Sequence, residues 1–562
     1  MSLPETTEEH LQRKRVGEIP LLQHVAQRLC FDELLSTYIP VHGNEKVAAA
    51  ETLLLLVFNI TSGRQPLYEL PQWTTEFDGR LFGRTSELSV SLFNDDRYGR
   101  ALDKLYAADR ASLMTDLVIT LVHTLQLDLS QIHNDSTSIK TCGQMPGQTR
   151  NGLRFLHGHS KDHRPDLKQI VFSLSLTADG AVPIHFKCYA GNRTDDTTHI
   201  ETWKRIQQIA GVPDFLYVAD CKVCTDKQLS FITQHGGRVL TLMPDTWREA
   251  KAFKQALRST KKIKRRILRQ RVPNSQDEYE TFYGFTGNHV TEKSGYTVHW
   301  IYTTEKRKRD RLAREQRLSR VEHELAELSG KLNTRQLKSK DQINARVEQI
   351  LESHRASDFY HIDILPLRET STTQVGKGRP GKDTRYRTRT TTLYSLAWSR
   401  HKQALEQDRN TDGIFPILCT DKTMSAKEAL LAYKYQPRLE KRFEQLKTVH
   451  NAAPTLFKRV ERVEAMMFLF FMAMILQAVI EREVRQSMDV EAIDAIPIYP
   501  EDRLAHHPTT AKLFYRFHDT SLYRLKRGNK VVKQYHDELT PVQQKVISLL
   551  GMSKDRYWKD VT

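Results

Sequence analysis

This chain is poor in cysteine, with six scattered cysteines among 562 residues. Such sparse usage is typical of a reducing compartment and argues against a disulfide-stabilised secreted scaffold. Cys221 and Cys224 form a lone C-x-x-C pair, and no second Cys or His pair follows at zinc spacing. A zinc site is therefore not expected. We expect these thiols to be small, core-facing residues after a strand.

Long hydrophobic runs are also lacking. The most apolar stretch, residues 465–476, has about twelve residues, whereas a membrane-spanning helix needs about 20. We therefore predict a buried core helix there and no membrane role. The first ten residues are polar and acidic, unlike a signal peptide. A cytoplasmic location is the expectation.

Positive charge is what the chain has in excess. Lys and Arg number 85 against 68 Asp and Glu, which gives a formal net charge of +17 and a pI of about 9.4. This excess favours a polyanionic partner such as nucleic acid, and the alternative is a merely basic soluble protein. The length predicts two to four domains.

The pattern along the chain indicates a mixed α/β protein. Residues 47–60 and 100–125 have helical apolar spacing, and strands are expected from about residue 127. Asp179-Gly180 marks a hairpin turn between two strands. From about 245 to 398 the composition shifts, and heptad-like leucines over 318–332 with a second helix at 340–354 predict a helical hairpin.

A short segment near residue 440 carries the strongest chemical signal. Read as a helix, Tyr433, Gln436, Glu440 and Lys447 lie three, four and seven residues apart and share one face. Pro437 suits a first helical turn, so Tyr433 and Gln436 are expected just before the regular helix. Such a face combines a carboxylate, an aromatic ring and a base, which suits a metal ion that meets a phosphate backbone.

Two aspartates stand where strands are expected to end. Asp135 closes the predicted strand 127–135, and Asp220 closes 215–220. Two strand-end aspartates and a helix glutamate are the parts of a two-metal phosphoryl-transfer site, in which carboxylates hold hard cations. A single aspartate at a strand end is more often a cap or an ion pair, so it is the set of three that favours function. Glu444 is the competing glutamate, one turn after Glu440.

These motifs resemble those of DDE transposases of the bacterial IS4-like superfamily, closest to the IS1634-type insertion-sequence transposases. Tyr433, Glu440 and Lys447 match the family signature, and Gln436 stands where the family has arginine, which leaves one phosphate contact in doubt. The segments 159–169 and 190–195 and the apolar helix after Glu440 also resemble the family in order. The resemblance spans roughly residues 15–550.

The resemblance implies an RNase H-like catalytic core with a large inserted α+β subdomain and a helical N-terminal domain. The expected regions are a helical domain for DNA-end binding or dimerisation at 1–126, the first part of the core at 127–245, an inserted subdomain with strands and a helical hairpin at 246–398, the second part of the core with the glutamate helix at 399–490, and a C-terminal helical region at 491–562.

The resemblance also implies catalytic and metal-binding roles for Asp135, Asp220 and Glu440, with two Mg²⁺ ions, or Mn²⁺ in their place. Tyr433, Lys447 and Arg438 are expected to contact DNA near the cleaved bond. A basic loop is expected to contact phosphate or simply to be solvated, and its residues are Lys161, His163, Arg164 and Lys168.

Trp300 in the inserted region has two interpretations. Relatives in the superfamily use an insertion-domain tryptophan to hold a flipped base, and a core tryptophan in a sheet is the more common alternative.

The sequence therefore predicts a DNA transposase that binds the terminal inverted repeats of an insertion sequence, cleaves at its ends and joins them to target DNA. The expected partner is double-stranded DNA, on which the protein acts as a homodimer in the bacterial cytoplasm, at the nucleoid. The alternatives are an RNase H-fold nuclease without strand transfer and a domesticated DNA-binding protein.

Overall fold

The computed structural model describes most of the chain, and the chain divides into two compact units. The first unit comprises Met1–Thr241 and Leu431–Thr562, and the second is Leu242–Leu430. The described residues are 9–41, 43, 45–63, 65–82, 92–141, 153–159, 161, 164–193, 197–260, 262–272, 278–450, 452, 457, 459–528 and 530–561.

Helices dominate the start of the first unit, as predicted. They are α1 (Ile19–Arg28), α2 (Phe31–Tyr38), α3 (Ala49–Thr61), α4 (Leu70–Glu76), α5 (Asp95–Ala107) and α6 (Arg110–Leu125). Polar side chains cap two of them: Asn94 accepts a hydrogen bond from the Arg97 amide at α5, and Asp109 accepts one from the Ser112 amide at α6. The polar segment at residues 94–100 thus forms the cap and first turns of α5.

A mixed sheet follows in the same unit. Its elements are β2 (Gln131–Lys140), β3 (Gln169–Thr177), β4 (Pro183–Ala190), α7 (His199–Ala210), β5 (Leu216–Ala219), α8 (Asp226–Gln234) and β6 (Arg238–Leu242). The strands lie in the order β4-β3-β2-β5-β6. β2, β3 and β4 pair antiparallel, whereas β5 runs parallel to both β2 and β6. The predicted hairpin about Gly180, whose φ is +78°, is present between β3 and β4.

A long apolar helix forms the core of this unit. It is α15 (Val460–Val490), preceded by α14 (Pro437–Glu444) and a π-helical turn (Gln445–Val449). By length and composition α15 could cross a membrane, yet 94% of its most apolar window is buried inside the protein. A helix that is apolar all round is expected to be buried in this way, so the prediction of a core helix is confirmed.

The C-terminal region is not wholly helical, which corrects the sequence-based expectation. It contains α16 (Thr510–Phe517), a hairpin of β13 (Ser521–Arg527) and β14 (Lys530–His536), α17 (Pro541–Leu549) and α18 (Lys554–Trp558). β13 also pairs antiparallel with β1 (Glu9–Arg15). These strands carry many Arg and Lys residues, and their pattern lacks the apolar alternation that identifies a strand.

A buried histidine makes the stability of the first unit sensitive to acid. Burial in β4, helped by the charges of Arg205 and Lys187, lowers the pKa of His185 to about 3, against an ordinary value near 6.5. The unfolded chain therefore binds a proton that the folded protein excludes. Stability is full above about pH 6.5 and falls as the pH drops, by up to about 1.4 kcal/mol per pH unit.

We expect His185→Gln to flatten the fall in unfolding midpoint between pH 6.5 and pH 5, measured by thermal melts. The matched control is His123→Gln, because His123 is exposed on α6. Parallel pH curves for His185→Gln and the unmodified protein would contradict the assignment.

The second unit has its own sheet strands and helices. They are α9 (Arg248–Ser259), β7 (Lys264–Arg271), β8 (Tyr279–Phe285), β9 (Thr297–Thr303), α10 (Thr304–Gly330), α11 (Lys340–Ser353), β10 (Tyr360–Gln374), β11 (Tyr386–Arg400), α12 (Lys402–Arg409), β12 (Ile414–Cys419) and α13 (Ala426–Tyr433), whose last turn reaches the first unit. Strands β12, β9, β8 and β7 pair antiparallel in that order.

The predicted helical hairpin is present as α10 and α11. Leu318, Val321 and Leu325 of α10 are buried against Ile343 and Val347 of α11. Ser339 and Gln342 form a capping box at the start of α11. At the start of β7 a basic side chain packs on an aromatic ring, because Lys264 Nζ lies 3.3 Å from the centroid of the Tyr302 ring.

Trp300 is a core residue of the second unit. It is 3% exposed in β9 and stacks on Phe253, with ring centroids 3.8 Å apart and planes within 5°. A ring enclosed in this way offers no face to a base, so the structure favours the core interpretation over base holding.

We expect Trp300→Ala to destabilise the second unit by about 3–5 kcal/mol, the range for an emptied aromatic core site. Differential scanning calorimetry would measure it. Tyr279→Ala, on the neighbouring β8 and 47% exposed, is the matched control and should change stability little. Equal stability of the two variants would reopen a direct role for Trp300.

Candidate active site

Strand register brings the two candidate aspartates together. In the parallel pair of β2 and β5 the last partners are Asn134 and Ala219. Asp135 on β2 and Asp220 directly after β5 are the next residues, so they follow side by side at the end of the parallel pairing. The register of β2 and β5 therefore brings together two residues that are 85 positions apart in the sequence.

The position of Asp135 corrects the prediction of a strand end. β2 continues to Lys140, because Ser136–Lys140 pair with β3. Asp135 therefore lies inside the strand, at the point where the pairing with β5 stops. Its carboxylate accepts a hydrogen bond from the Ser136 amide at 2.7 Å and contacts Lys161 Nζ at 3.2 Å. Lys161 thus supplies a positive charge to this carboxylate, and its Nζ also donates to the Ser136 carbonyl at 2.5 Å.

Asp220 directly follows β5, as predicted. Its Oδ1 accepts a hydrogen bond from the Lys222 amide at 3.0 Å and lies 3.9 Å from Nε2 of the buried His199. His199 in turn contacts the Tyr217 hydroxyl through Nδ1 at 3.0 Å. Of the C-x-x-C pair that follows, Cys224 is buried as expected, whereas Cys221 is exposed.

Helix α14 carries Glu440 and is fastened to β2 at its first turn. Gln436 is the N-cap residue and Pro437 begins the helix, as predicted. The buried Gln436 side chain contacts His133 Nδ1 through Oε1 at 2.9 Å and donates from Nε2 to the Asn134 carbonyl at 3.3 Å. Gln436 therefore holds the glutamate helix against the strand of Asp135. The Gln436 side chain is thus engaged in buried contacts within the protein.

The opposite side of α14 is fastened as well. Arg442 Nε donates to the Ala181 carbonyl in the β3–β4 hairpin at 3.2 Å, and Nη2 lies 3.1 Å from Oε2 of Glu481 on α15. Glu440 lies about 200° round the helix from Arg442, and its side chain is exposed. The two anchors thus leave Glu440 on the accessible side.

The pKa of Tyr433 indicates that the three acids lie near it. Its pKa is raised to about 12, first by burial and then by neighbouring negative charge. The charged groups responsible, in order of effect, are Asp220, Cys221, Glu440 and Asp135. All three predicted acids thus lie near enough to this phenol to raise its pKa, an effect that weakens with distance. At neutral pH this hydroxyl stays protonated and can donate a hydrogen bond.

The donor set fits a hard cation, although no closed metal site is formed. Within the described residues, no three His, Cys, Asp or Glu side chains stand close enough to hold a metal ion. Asp135 and Asp220 are instead engaged by Lys161 and by the Lys222 amide. Carboxylate oxygens are the ligands that Mg²⁺ prefers, and the negative charge gathered about Tyr433 is of the sign that a cation would neutralise.

Lys447 and Arg438 are placed differently from Glu440. Lys447 lies in the π-helical turn, in which the His450 amide bonds to the Gln445 carbonyl five residues earlier. The wider turn shifts Lys447 from the α-helical spacing on which the shared face was predicted. Arg438 is two residues from Glu440 and so about 200° round α14. It is half-buried. Burial lowers the pKa of Arg485 and of His507, and the charge of Arg438 adds to both effects.

The predicted basic loop is only partly at the site. Lys161 contacts Asp135, as described above. Arg164 is exposed and forms a two-bonded pair with Asp166 at 2.9 and 2.8 Å, which lowers the pKa of Asp166 to about 2. Lys168 is exposed, and His163 lies outside the described residues. The structure therefore brings Lys161 alone of this loop, among the described residues, to the acids.

His199 and His133 are site neighbours that the sequence analysis missed. His199 reaches Asp220 because α7 packs beside β5, and a lone histidine at a helix start gives no signal of this contact. His133 binds Gln436 from two positions before Asp135, and burial lowers its pKa to about 4. The alternation of β2 could have predicted that His133 and Asp135 share a face.

Comparisons with known proteins give limited matches. A family model described as a domain of unknown function (DUF4277) matches residues 11–119, which precede all three acids. No curated protein matches the chain. Among solved structures, the cryo-EM structure of the piggyBac transposase synaptic complex with hairpin DNA is similar over 91% of this chain and 82% of that chain, with 9% identity and a TM-score of 0.36.

Proposed function

We propose that this chain is a DDE-type DNA transposase, which binds the terminal inverted repeats of an insertion sequence, cleaves at the ends and joins them to target DNA. One observation carries the proposal. Strand register sets Asp135 beside Asp220 at the end of the β2–β5 pairing, and the Gln436 side chain holds the helix of Glu440 against the strand of Asp135. A positive excess of +17 suits a DNA substrate.

The topology of the first unit supports an RNase H-like core. The order of strand, hairpin, helix and strand, from β2 through β3–β4 and α7 to β5, is the opening that the family resemblance implies. Asp135 and Asp220 then sit at equivalent points of adjacent strands, and Glu440 arrives on a helix after a long inserted unit. Such an arrangement gathers ligands without requiring them to be near in sequence.

Asp135, Asp220 and Glu440 would hold two Mg²⁺ ions, or Mn²⁺ in their place. When bound, the ions would stabilise negative charge on the attacking and leaving oxygens of a phosphodiester. The chain's own groups have separate tasks. The Tyr433 hydroxyl donates a hydrogen bond to a phosphate oxygen, and Lys161 balances charge at Asp135 until the substrate arrives. Gln436 and Arg442 keep α14, and so Glu440, in place.

Double-stranded DNA is the proposed partner, both as element end and as target. Two ends must be cut in one transposition event, so we propose that the protein acts as a homodimer on DNA. The proposed setting is the bacterial cytoplasm, at the nucleoid.

The test uses a labelled duplex from the DNA that flanks the coding segment, incubated with the full-length protein and a target plasmid in Mg²⁺. Joined product is the expected result. Cut product without joining would point to the nuclease alternative, and a gel shift without cutting to a DNA-binding protein with an inert core. EDTA is the control that should abolish cutting but leave binding.

A further inference from the structure

A long two-stranded arm projects from the second unit. Strands β10 and β11 pair antiparallel from Tyr360 with Arg400 to Gln374 with Tyr386. Between Leu365 and Thr392 every residue is exposed except Gln374 and Thr384, which are half-buried. We call residues 365–393 the arm. Each of its strands has about ten residues, which spans roughly 33 Å.

The base of the arm is held firmly. Leu396 of β11 belongs to the buried cluster of α10 and α11, and Ile362 packs against that cluster. The Asn333 side chain bonds both the amide and the carbonyl of Tyr394, at 2.8 and 3.0 Å. Arg400 pairs with Glu315 and Glu322 of α10, each at 2.7 Å. The arm therefore extends from a fixed platform rather than from a loose loop.

Among the residues that the structure describes, nothing comparable covers the arm itself. Both of its faces are exposed along its length, and it presents apolar side chains to solvent, such as Leu365 at 52% and Tyr386 at 55% exposure. An isolated two-stranded hairpin is marginally stable in water. β10 and β11 pair over fifteen residues each, and their outer part has no second layer over it. A partner that covers the arm best explains this exposed pairing.

Charge identifies the kind of partner. The arm contains seven basic and two acidic residues. Arg387 and Arg389 lie on β11 and Arg385 directly precedes it, where its carbonyl still accepts a hydrogen bond from the Val375 amide. The three alternate along the chain, so they share one face at a spacing of about 7 Å. In the part of the chain that the structure describes, none of the three has an ion-pair partner. The basic residues Lys306 and Lys308 of α10 differ from these arginines. Lys306 pairs with Asp310, and Lys308 pairs with Glu305.

The other face and the tip are equally suited to a polyanion. Register places Thr388 opposite Thr372, and Thr390 opposite Thr370, so the face away from the arginine row carries short hydrogen-bonding side chains. At the tip, Gly376 and Gly378 have φ of +114° and +132°, and nothing lies within 4 Å of where their Cβ atoms would stand. The tip backbone can therefore approach a phosphate closely.

We propose that the arm is a DNA-binding β-ribbon that enters the major groove of duplex DNA, with the row of Arg385, Arg387 and Arg389 on backbone phosphates. The B-form major groove, about 12 Å wide, admits a two-stranded ribbon. The length of the arm matches about one helical turn of DNA. The inference rests on the proposed function for its partner but concerns a surface in the second unit, apart from the three acids.

The test compares three full-length variants by fluorescence anisotropy with a labelled 40-base-pair DNA duplex across a salt series. Arg385→Ala/Arg387→Ala/Arg389→Ala should weaken binding roughly tenfold or more and reduce the slope of log affinity against log salt by about 2–3. The matched control Arg335→Ala/Lys338→Ala/Lys340→Ala removes the same charge from exposed positions of the same unit and should leave the slope unchanged. The triple Arg→Lys arm variant should keep most of the slope.

Several outcomes would overturn the inference. The first is an equal slope for the arm variant and the control. The second is a duplex RNA competitor as effective as DNA, since the A-form major groove is too narrow to read. The third is loss of self-association, measured by light scattering, with DNA affinity intact, which would make the arm a protein interface. Because all three arginines are exposed, thermal melts of the variants should match those of the unmodified protein.

The two proposals fail in different ways. If the unmodified protein binds and cuts DNA but the arm variant does so equally well, the arm inference alone fails. If the unmodified protein binds the duplex through the arm but cuts nothing in Mg²⁺, the proposed transposase activity fails and the arm inference stands.

Discussion

Replacing Asp135 or Asp220 by Asn, or Glu440 by Gln, is expected to lower Mg²⁺-dependent DNA cleavage by about 10³-fold, the order that loss of one charge-stabilising group costs. Each change keeps the size of the side chain and removes one negative charge from the group around Tyr433. Binding to a labelled duplex should be largely retained, because phosphate contacts by Lys and Arg dominate affinity. Quenched cleavage time courses and gel shifts measure the two effects separately.

Glu444→Gln is the matched control for Glu440→Gln. Glu444 lies one turn later on the same helix and is also exposed, but it does not contribute to the raised pKa of Tyr433. The Glu444→Gln variant should cleave DNA at close to the rate of the unmodified protein. An active Glu440→Gln beside an inactive Glu444→Gln would show that the wrong glutamate had been chosen.

The second large effect concerns stability. Arg442→Leu is expected to destabilise the first unit by about 3 kcal/mol or more, because removing one partner of a buried ion pair leaves the other charge uncompensated. Arg442 and Glu481 are only 6% and 8% exposed. The change also deprives the Ala181 carbonyl of its donor. Calorimetric unfolding of the full-length protein would show a lower midpoint for the transition of the first unit.

Lys441→Leu is the control, since Lys441 precedes Arg442 on α14 and is exposed. The Lys441→Leu variant should change the unfolding midpoint of the first unit little. A melting curve for Arg442→Leu that overlays the control would mean that Arg485, whose Nη2 lies 3.5 Å from Glu481 Oε2, compensates the remaining charge.

Local patterns predicted many elements well. The apolar stretch of α15, the helical hairpin of α10 and α11, the β3–β4 hairpin and the proline-started helix of Glu440 each carry a signal within a few residues, such as periodicity, a turn or a cap. β1, β13 and β14 were missed, because their many Arg and Lys residues leave no apolar alternation to read.

The candidate site was predictable in its residues but not in its supports. Spacing and resemblance pointed to Asp135, Asp220 and Glu440. The length of β2 depends on its pairing with β3, so the place of Asp135 within that strand could not be read locally. Likewise, the contact between Gln436 and His133 joins residues 303 positions apart, and the stacking of Trp300 on Phe253 is a matter of packing.

The pairing of β1 with β13 can form only late in synthesis on the ribosome. Arg13 Nε donates to Ser521 Oγ, 508 positions later in the chain. At about 5–20 residues per second, the first strand waits roughly 25–100 s for its neighbour. The second unit is synthesised whole before Glu440 is made. A nascent chain can therefore assemble its inserted unit and its arm early, while the three acids gather only near the end of translation.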